Sequence, residues 1–239
     1  MIGALSDIGN KRETNEDYIS YYECENIGIY VVADGMGGHN AGEIASKTAG
    51  DKIIDFIKSK QKIDDMEVVL IEAIKEANKE VYERAQEDEG LNGMGTTITA
   101  CITDGNVYII ANVGDSSCFV IKDGIIKKVT KDHSLVQQLV DEGSITEEEA
   151  KTHPNKNIIT RALGTCKEVE VDTFKIDWEN FERFVLCTDG LTNEVNYEEI
   201  NKIVIESDTS LQACRSLVEL AKERGGTDNI TVMVIGGDR

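Results

Sequence analysis

Between residues 96 and 129, four short runs rich in Ile, Val and Thr follow one another with no helical stretch between them. The runs cover 96–103, 106–113, 117–121 and 125–129, with Asp104-Gly105 joining the first two and Asp123-Gly124 the last two. β-Branched residues favour a pleated chain, and Asp-Gly between two such runs marks a tight hairpin. A chain that builds its middle this way commits to antiparallel sheet. Further strands are expected at 2–6, 18–22 and 28–33, then at 168–176, 184–187 and 230–235. Helical spacing comes in pairs. Segment 41–59 repeats apolar residues at Ile44, Ala45, Ala49, Ile53, Phe56 and Ile57, and 65–88 at Met66, Val69, Leu70, Ala73, Ala77, Val81 and Ala85. Segments 196–206 and 210–224 read as a second pair. Meandering strands with paired helices predict an α+β fold of antiparallel sheets flanked by helices, not strand–helix alternation. Segment 132–160 is polar and weakly helical, holds the only proline, Pro154, and reads as a surface flap.

The chain has 239 residues, enough for one domain with a sizeable core, and shows no repeat or linker, so a single domain over 1–239 is expected. A formal charge of −20 argues against binding nucleic acid or an anionic membrane through a basic face, while permitting multivalent cations. Apolar runs such as Ile29-Tyr30-Val31-Val32-Ala33 are strand-sized, far below the roughly 20 residues of a membrane span. The N-terminus carries no basic stretch leading into an apolar core, so the expectation is an untargeted cytoplasmic protein. Cys24, Cys101, Cys118, Cys166, Cys187 and Cys214 form no CxxC pair. They read as small hydrophobes in a reducing compartment, not as zinc ligands.

Two further Asp-Gly pairs do not fit the hairpin reading. Asp34-Gly35 follows the apolar run Tyr30-Val31-Val32-Ala33, and Asp189-Gly190 follows Phe184-Val185-Leu186-Cys187-Thr188. A carboxylate at the end of a buried strand is costly unless something positive meets it. Asp115 and Asp228 stand at similar strand junctions, and Asp17 lies just ahead of a strand. If these groups converge, a divalent ion would relieve their repulsion, and an all-oxygen donor set favours Mg²⁺ or Mn²⁺. Spacing alone leaves a second reading open, in which they are scattered turn and cap residues of a very acidic protein.

The wording of these segments bears on that choice. Arg12-Glu13-Thr14-Asn15-Glu16-Asp17, Val32-Ala33-Asp34-Gly35-Met36-Gly37-Gly38-His39, Gly93-Met94-Gly95-Thr96-Thr97, Val113-Gly114-Asp115-Ser116, Thr188-Asp189-Gly190-Leu191 and Gly226-Thr227-Asp228-Asn229-Ile230-Thr231 occur in that order. The flap adds Asp132-His133-Ser134, His153-Pro154 and Thr160-Arg161-Ala162-Leu163-Gly164. Together they resemble the bacterial branch of the metal-dependent type 2C (PPM) serine/threonine protein phosphatases, over about residues 6–236.

The resemblance implies an α-β-β-α sandwich, two face-to-face antiparallel sheets flanked by helix pairs, with a metal centre at one edge. It implies Mn²⁺ or Mg²⁺, two per chain with a weaker third. Asp34 matches the bridging carboxylate, Gly35 a carbonyl ligand, Asp189 and Asp228 ligands of the other ion, and Asp17 an acidic position acting through bound water. Asp115 matches the anchor of the third ion and Arg12 the phosphate-binding arginine. Glu16 is a ligand in some relatives and replaceable in others, and stays off the site. Met36 stands where many eukaryotic relatives carry His, which leaves His39 as the nearest imidazole to act as general acid, in competition with a metal-bound water. His133 and His153 read as structural. Ser117 replaces an Arg common in relatives.

The expected reaction is hydrolysis of phosphoserine and phosphothreonine in proteins by a hydroxide bridging two ions, with the Arg12 fork on the phosphate oxygens. By resemblance, partners are phosphorylated proteins and a bacterial Ser/Thr kinase that the enzyme opposes, with no nucleic acid and no membrane, and the chain acts as a monomer. The alternative is a catalytically weak phosphoprotein-binding member of the same fold. A different dinuclear hydrolase is a third reading.

Overall fold

A computed structural model of the chain describes residues 2–37, 41–177 and 181–236. The strands are β1 (Ile2–Asp7), β2 (Asp17–Cys24), β3 (Ile27–Met36), β4 (Gly95–Thr96), β5 (Ile98–Thr103), β6 (Val107–Val113), β7 (Ser117–Lys122), β8 (Ile125–Lys128), β9 (Asp172–Asp177), β10 (Arg183–Cys187) and β11 (Ile230–Gly236). The helices are α1 (Ala41–Lys58), α2 (Met66–Glu87), α3 (Leu135–Asp141), α4 (Glu147–Lys151), α5 (Asp189–Thr192), α6 (Tyr197–Glu206) and α7 (Ser210–Glu223). One sheet runs β1-β11-β10-β7-β8, the other β2-β3-β5-β6-β9 with β4 on β3, and the pairings within both are antiparallel.

Alternation along the strands explains why the two sheets stack. In β3, Ile29, Val31 and Ala33 face α1 and α2, while Tyr30 and Val32 face the opposite sheet, and all five are buried. A strand covered on both faces needs an unbroken apolar run, as residues 29–33 supply. The same division sends Val185 and Cys187 of β10 toward α6 and α7, and Phe184 and Leu186 into the space between the sheets. There Tyr30, Tyr108, Phe181 and Phe184 meet edge to face, with ring centroids 4.8–5.9 Å apart. The α-β-β-α sandwich expected from the sequence is the observed fold.

Helix limits follow their caps. Asp65 accepts from the N–H groups of Glu67 and Val68 to start α2, and Asn196 forms a capping box with Glu199 to start α6. Cys101, Cys118, Cys187 and Cys214 are buried among apolar side chains. The flap holds the short helices α3 and α4.

Three expectations need correction. The strand read as 28–33 continues through Asp34 and Gly35 to Met36, because β4 pairs with Gly35 and Met36. The run 96–103 is broken at Thr97, whose N–H donates to the Asp34 carbonyl and whose hydroxyl accepts from the Asp34 N–H. The strand read as 168–176 begins only at Asp172, since the Arg161 guanidinium takes up the Glu170 carbonyl and carboxylate just before it.

Candidate metal centre

The two sheets deliver their acidic residues to one edge from separate directions. Asp17 opens β2 and lies directly across from Asp34 of β3 in register, both in the six-stranded sheet. Asp189 opens α5 straight after β10, and Asp228 lies just ahead of β11, neighbouring strands of the other sheet. Asp115 sits in the link from β6 to β7, where the chain crosses between sheets.

Hydroxyl and amide groups fasten this edge. Thr188 donates its hydroxyl to Asp17 Oδ2 at 2.9 Å and accepts the Thr231 N–H at 3.0 Å, tying the sheets together through a buried side chain. Thr97 and Ser116 hydroxyls lie 2.8 Å apart beneath Asp34 and beside Asp115. Asn229 accepts the Glu16 N–H and donates to the Ile8 and Thr14 carbonyls, so it pins the loop that carries Arg12. Arg12 reaches Asp228 Oδ2 at 2.8 Å with its side chain about half exposed. Asn193 donates to Asp189 Oδ2 at 3.0 Å.

Close approach also selects glycine. A Cβ on Gly190 would run into the Asn229 carbonyl, and one on Gly35 into the Gly42 and Glu16 carbonyls. The backbone at Gly35 and Gly190 can therefore pack where any other residue would push the acidic elements apart.

Electrostatics records the convergence. Burial raises the Asp34 carboxyl well above its ordinary range, and Asp17, Asp189, Asp115 and Asp228 push in the same direction. Asp17 is pushed up to about 7, mainly by burial, then by Asp189 and Asp228, against the hydroxyl bonds that favour its anion. Asp115 rises to about 8, by burial first and Asp189 next. Asp189 is raised by burial and then by Asp228. Without a counter-charge these groups keep protons that ordinary aspartates shed.

The donor set fits hard divalent ions. It is all oxygen, and two of its buried atoms, Asp115 Oδ1 and Glu16 Oε1, have no hydrogen-bond partner. Among the described residues, no three of the acidic, imidazole or thiol groups are drawn tightly enough together to grip one ion as they stand. Glu16 is the residue that sequence reasoning set aside. It is buried and raised in pKa chiefly by burial. The available signal was its place beside Asp17 in a motif leading into a strand. His39, read as a general acid, lies outside the described residues. His133 is structural: Nδ1 accepts the Gly114 N–H, and Nε2 meets Asp172 and Arg161.

An edge of hard oxygen donors with one guanidinium beside it, on an α-β-β-α sandwich, is suited to holding divalent ions against a phosphate ester. Comparison with known proteins agrees. The family described as Protein phosphatase 2C matches residues 9–223. The serine/threonine phosphatase stp of Listeria monocytogenes is 40% identical over 237 residues, which is 98% of this chain and 94% of that protein. The crystal structure of the serine/threonine phosphatase Stp1 from Staphylococcus aureus superposes with a TM-score of 0.94 at 36% identity, covering all of this chain and 95% of that one. A solved catalytic domain of the phosphatase PstP, in complex with two manganese ions, gives 0.85 at 35% identity, over 98% of this chain and 96% of that one. The chain belongs to the protein phosphatase 2C family. Its enzyme class, expected from the sequence, is that of a serine/threonine protein phosphatase.

Proposed function

We propose that the chain removes phosphate from phosphoserine and phosphothreonine in proteins at this sandwich edge, with Mn²⁺ or Mg²⁺ as its resident ions. One observation carries the reading: Asp17, Asp34, Asp115 and Asp189, from both sheets and their crossover, converge beside Asp228 where burial and mutual repulsion raise their carboxyls above the ordinary range. The PstP domain with two manganese ions supports a pair of ions here as well.

Asp34, Asp189 and Asp228 would hold the ions together with the Gly35 carbonyl, Asp17 would act alongside them, and Asp115 would anchor a weaker third. Glu16 joins this set through its orphaned buried oxygen. Divalent ions bound there would supply a nucleophilic water at neutral pH and positive charge facing the phosphoryl oxygens. Arg12, which holds Asp228 through one guanidinium nitrogen, would bind the phosphate by turning its planar fork onto two phosphate oxygens. Thr188, Asn229 and Asn193 orient Asp17, the Arg12 loop and Asp189. We take 1–239 as one catalytic domain, with the flap at 132–160 selecting among phosphoproteins. We also read it as a cytoplasmic monomer that opposes a Ser/Thr kinase. No helix among the described residues is long and apolar enough to cross a membrane.

The test is phosphate release from a phosphothreonine peptide with EDTA, Mg²⁺ or Mn²⁺, for wild type and Asp189→Asn. Release that requires the ion and collapses in the variant is expected. Release indifferent to EDTA and to the substitution would refute the metal centre, and folded protein inert with every ion would move the reading to a phosphoprotein-binding module.

A further inference from the structure

The outer half of the flap, residues 142–157, bonds mostly to itself and to α3. Thr146 and Glu149 form the capping box of α4, Lys151 pairs with Glu148, and the Asn155 N–H donates to His153 Nδ1. Among the described residues, one hydrogen bond from this segment reaches the body of the sandwich: Lys156 Nζ donates to Asn193 Oδ1 at 2.9 Å. Asn193 caps the C-terminal end of α5, and its amide nitrogen donates to Asp189 Oδ2, at the first residue of the same helix.

An amide side chain has one accepting and one donating end. A cation on its oxygen aims the nitrogen at the carboxylate beyond, so the Lys156 bond fixes which way Asn193 faces. Asp189, Asn193 and Lys156 thus form a line from the acidic edge to the flap. In a chain of net charge −20, a half-buried lysine directed at this edge is not an ordinary solvated surface charge.

We propose that Lys156 is a positioning residue, a latch that docks the flap on Asn193 and through it orients Asp189 for divalent-ion binding. The inference rests on the metal-centre reading of Asp189. It makes ion affinity and flap docking two aspects of one equilibrium: a bound ion tightens the flap, and a docked flap raises affinity by the same factor. A single charge-to-amide bond at a half-exposed site is weak enough to open in each turnover.

The experiment titrates Mn²⁺ by electron paramagnetic resonance and follows amide hydrogen exchange of 142–157 in the full chain. The variants are Lys156→Met, Lys156→Arg, Asn193→Ala and the double variant Lys156→Met/Asn193→Ala. Lys151→Met serves as a flap control and Asp189→Asn as the metal control. Partners one step removed from a ligand typically change affinity by about 10–100-fold, so a residue one step further out should change it by about 3–10-fold. Asn193→Ala, one step from Asp189, should weaken one Mn²⁺ site by about 10–100-fold and Lys156→Met by about 3–10-fold, and both should speed exchange in the flap. The double variant should be no worse than Asn193→Ala alone, Lys156→Arg should restore binding, and Lys151→Met should leave it unchanged. Wild-type affinity and exchange in Lys156→Met, or losses that add in the double variant, would overturn the latch. Should Asp189→Asn lose an ion while Lys156→Met does not, the latch alone fails. Should Asp189→Asn retain every ion, the metal centre fails and the latch falls with it.

Discussion

Replacing Asp17 by Asn should stabilise the metal-free protein while disabling the enzyme. Asp17 is buried, and its carboxyl stands at about 7 against an ordinary 3.8. An acid whose folded pKa is raised takes up protons on folding. Its penalty is absent below about pH 4, grows through the interval, and is complete above about 7. Three units at about 1.36 kcal/mol each come to about 4 kcal/mol at pH 8, falling to about 1 kcal/mol near pH 4.5. The amide keeps an oxygen for the Thr188 hydroxyl and offers N–H groups to the neighbouring carboxylates, so no buried partner is orphaned. Neighbours that titrate together share part of the gain, which leaves about 2–4 kcal/mol, or a rise of about 4–16 °C in Tm for a domain of this size. Calorimetry in EDTA should show that rise at pH 8 and most of it lost at pH 4.5. Excess Mn²⁺ should close or reverse the gap, since the ion stabilises the carboxylate site more than the amide one. A variant no more stable than wild type in EDTA at pH 8 would refute the argument that uncompensated burial governs this edge.

Three other outcomes follow from the same geometry. Arg12→Ala should raise KM for a phosphothreonine peptide by about 10–100-fold, the value of a charge-assisted fork, with Arg12→Lys in between; unchanged KM would place the guanidinium off the phosphate. Gly190→Ala should lower stability by roughly 3 kcal/mol or more, because the new Cβ meets the Asn229 carbonyl, and a wild-type Tm would show that α5 can shift freely. Exchanging residues 132–160 for the flap of a relative should change preference among phosphoproteins and spare hydrolysis of a small phosphate ester, so equal loss on both substrates would remove selectivity from the flap.

Much of the fold was legible because the signals were local. The pairing of runs around Asp104-Gly105 and Asp123-Gly124, and the apolar stripes of α1 and α2, need only neighbours within a turn or a few residues. The errors fell where a distant segment decides. Asp34 lies inside β3 and not at its end because Gly95 and Thr96, some 60 residues on, supply two more rungs of ladder. Residues 168–171 stay out of β9 because Arg161 bonds Glu170. Glu16 escapes sequence reasoning because nothing in its neighbourhood along the chain tells that its Oε1 ends buried and without a hydrogen-bond partner against the start of α1.

The sequence by itself determined the family, through six short motifs in fixed order, and the layer plan, since strands buried on both faces and helices with one apolar stripe have few ways to cover each other. It also set the chemistry of the donor set, all oxygen with one guanidinium. Only the tertiary structure decided that Asp17, Asp34, Asp115, Asp189 and Asp228 share one edge, that Thr188 bolts the sheets together there, and that Lys156 reaches Asp189 through Asn193. The physical reason is range. Propensity and hydrophobic period act over a few residues, whereas the repulsion that readies these carboxylates for a cation exists only once two sheets, separated along the chain by as many as two hundred residues, lie face to face.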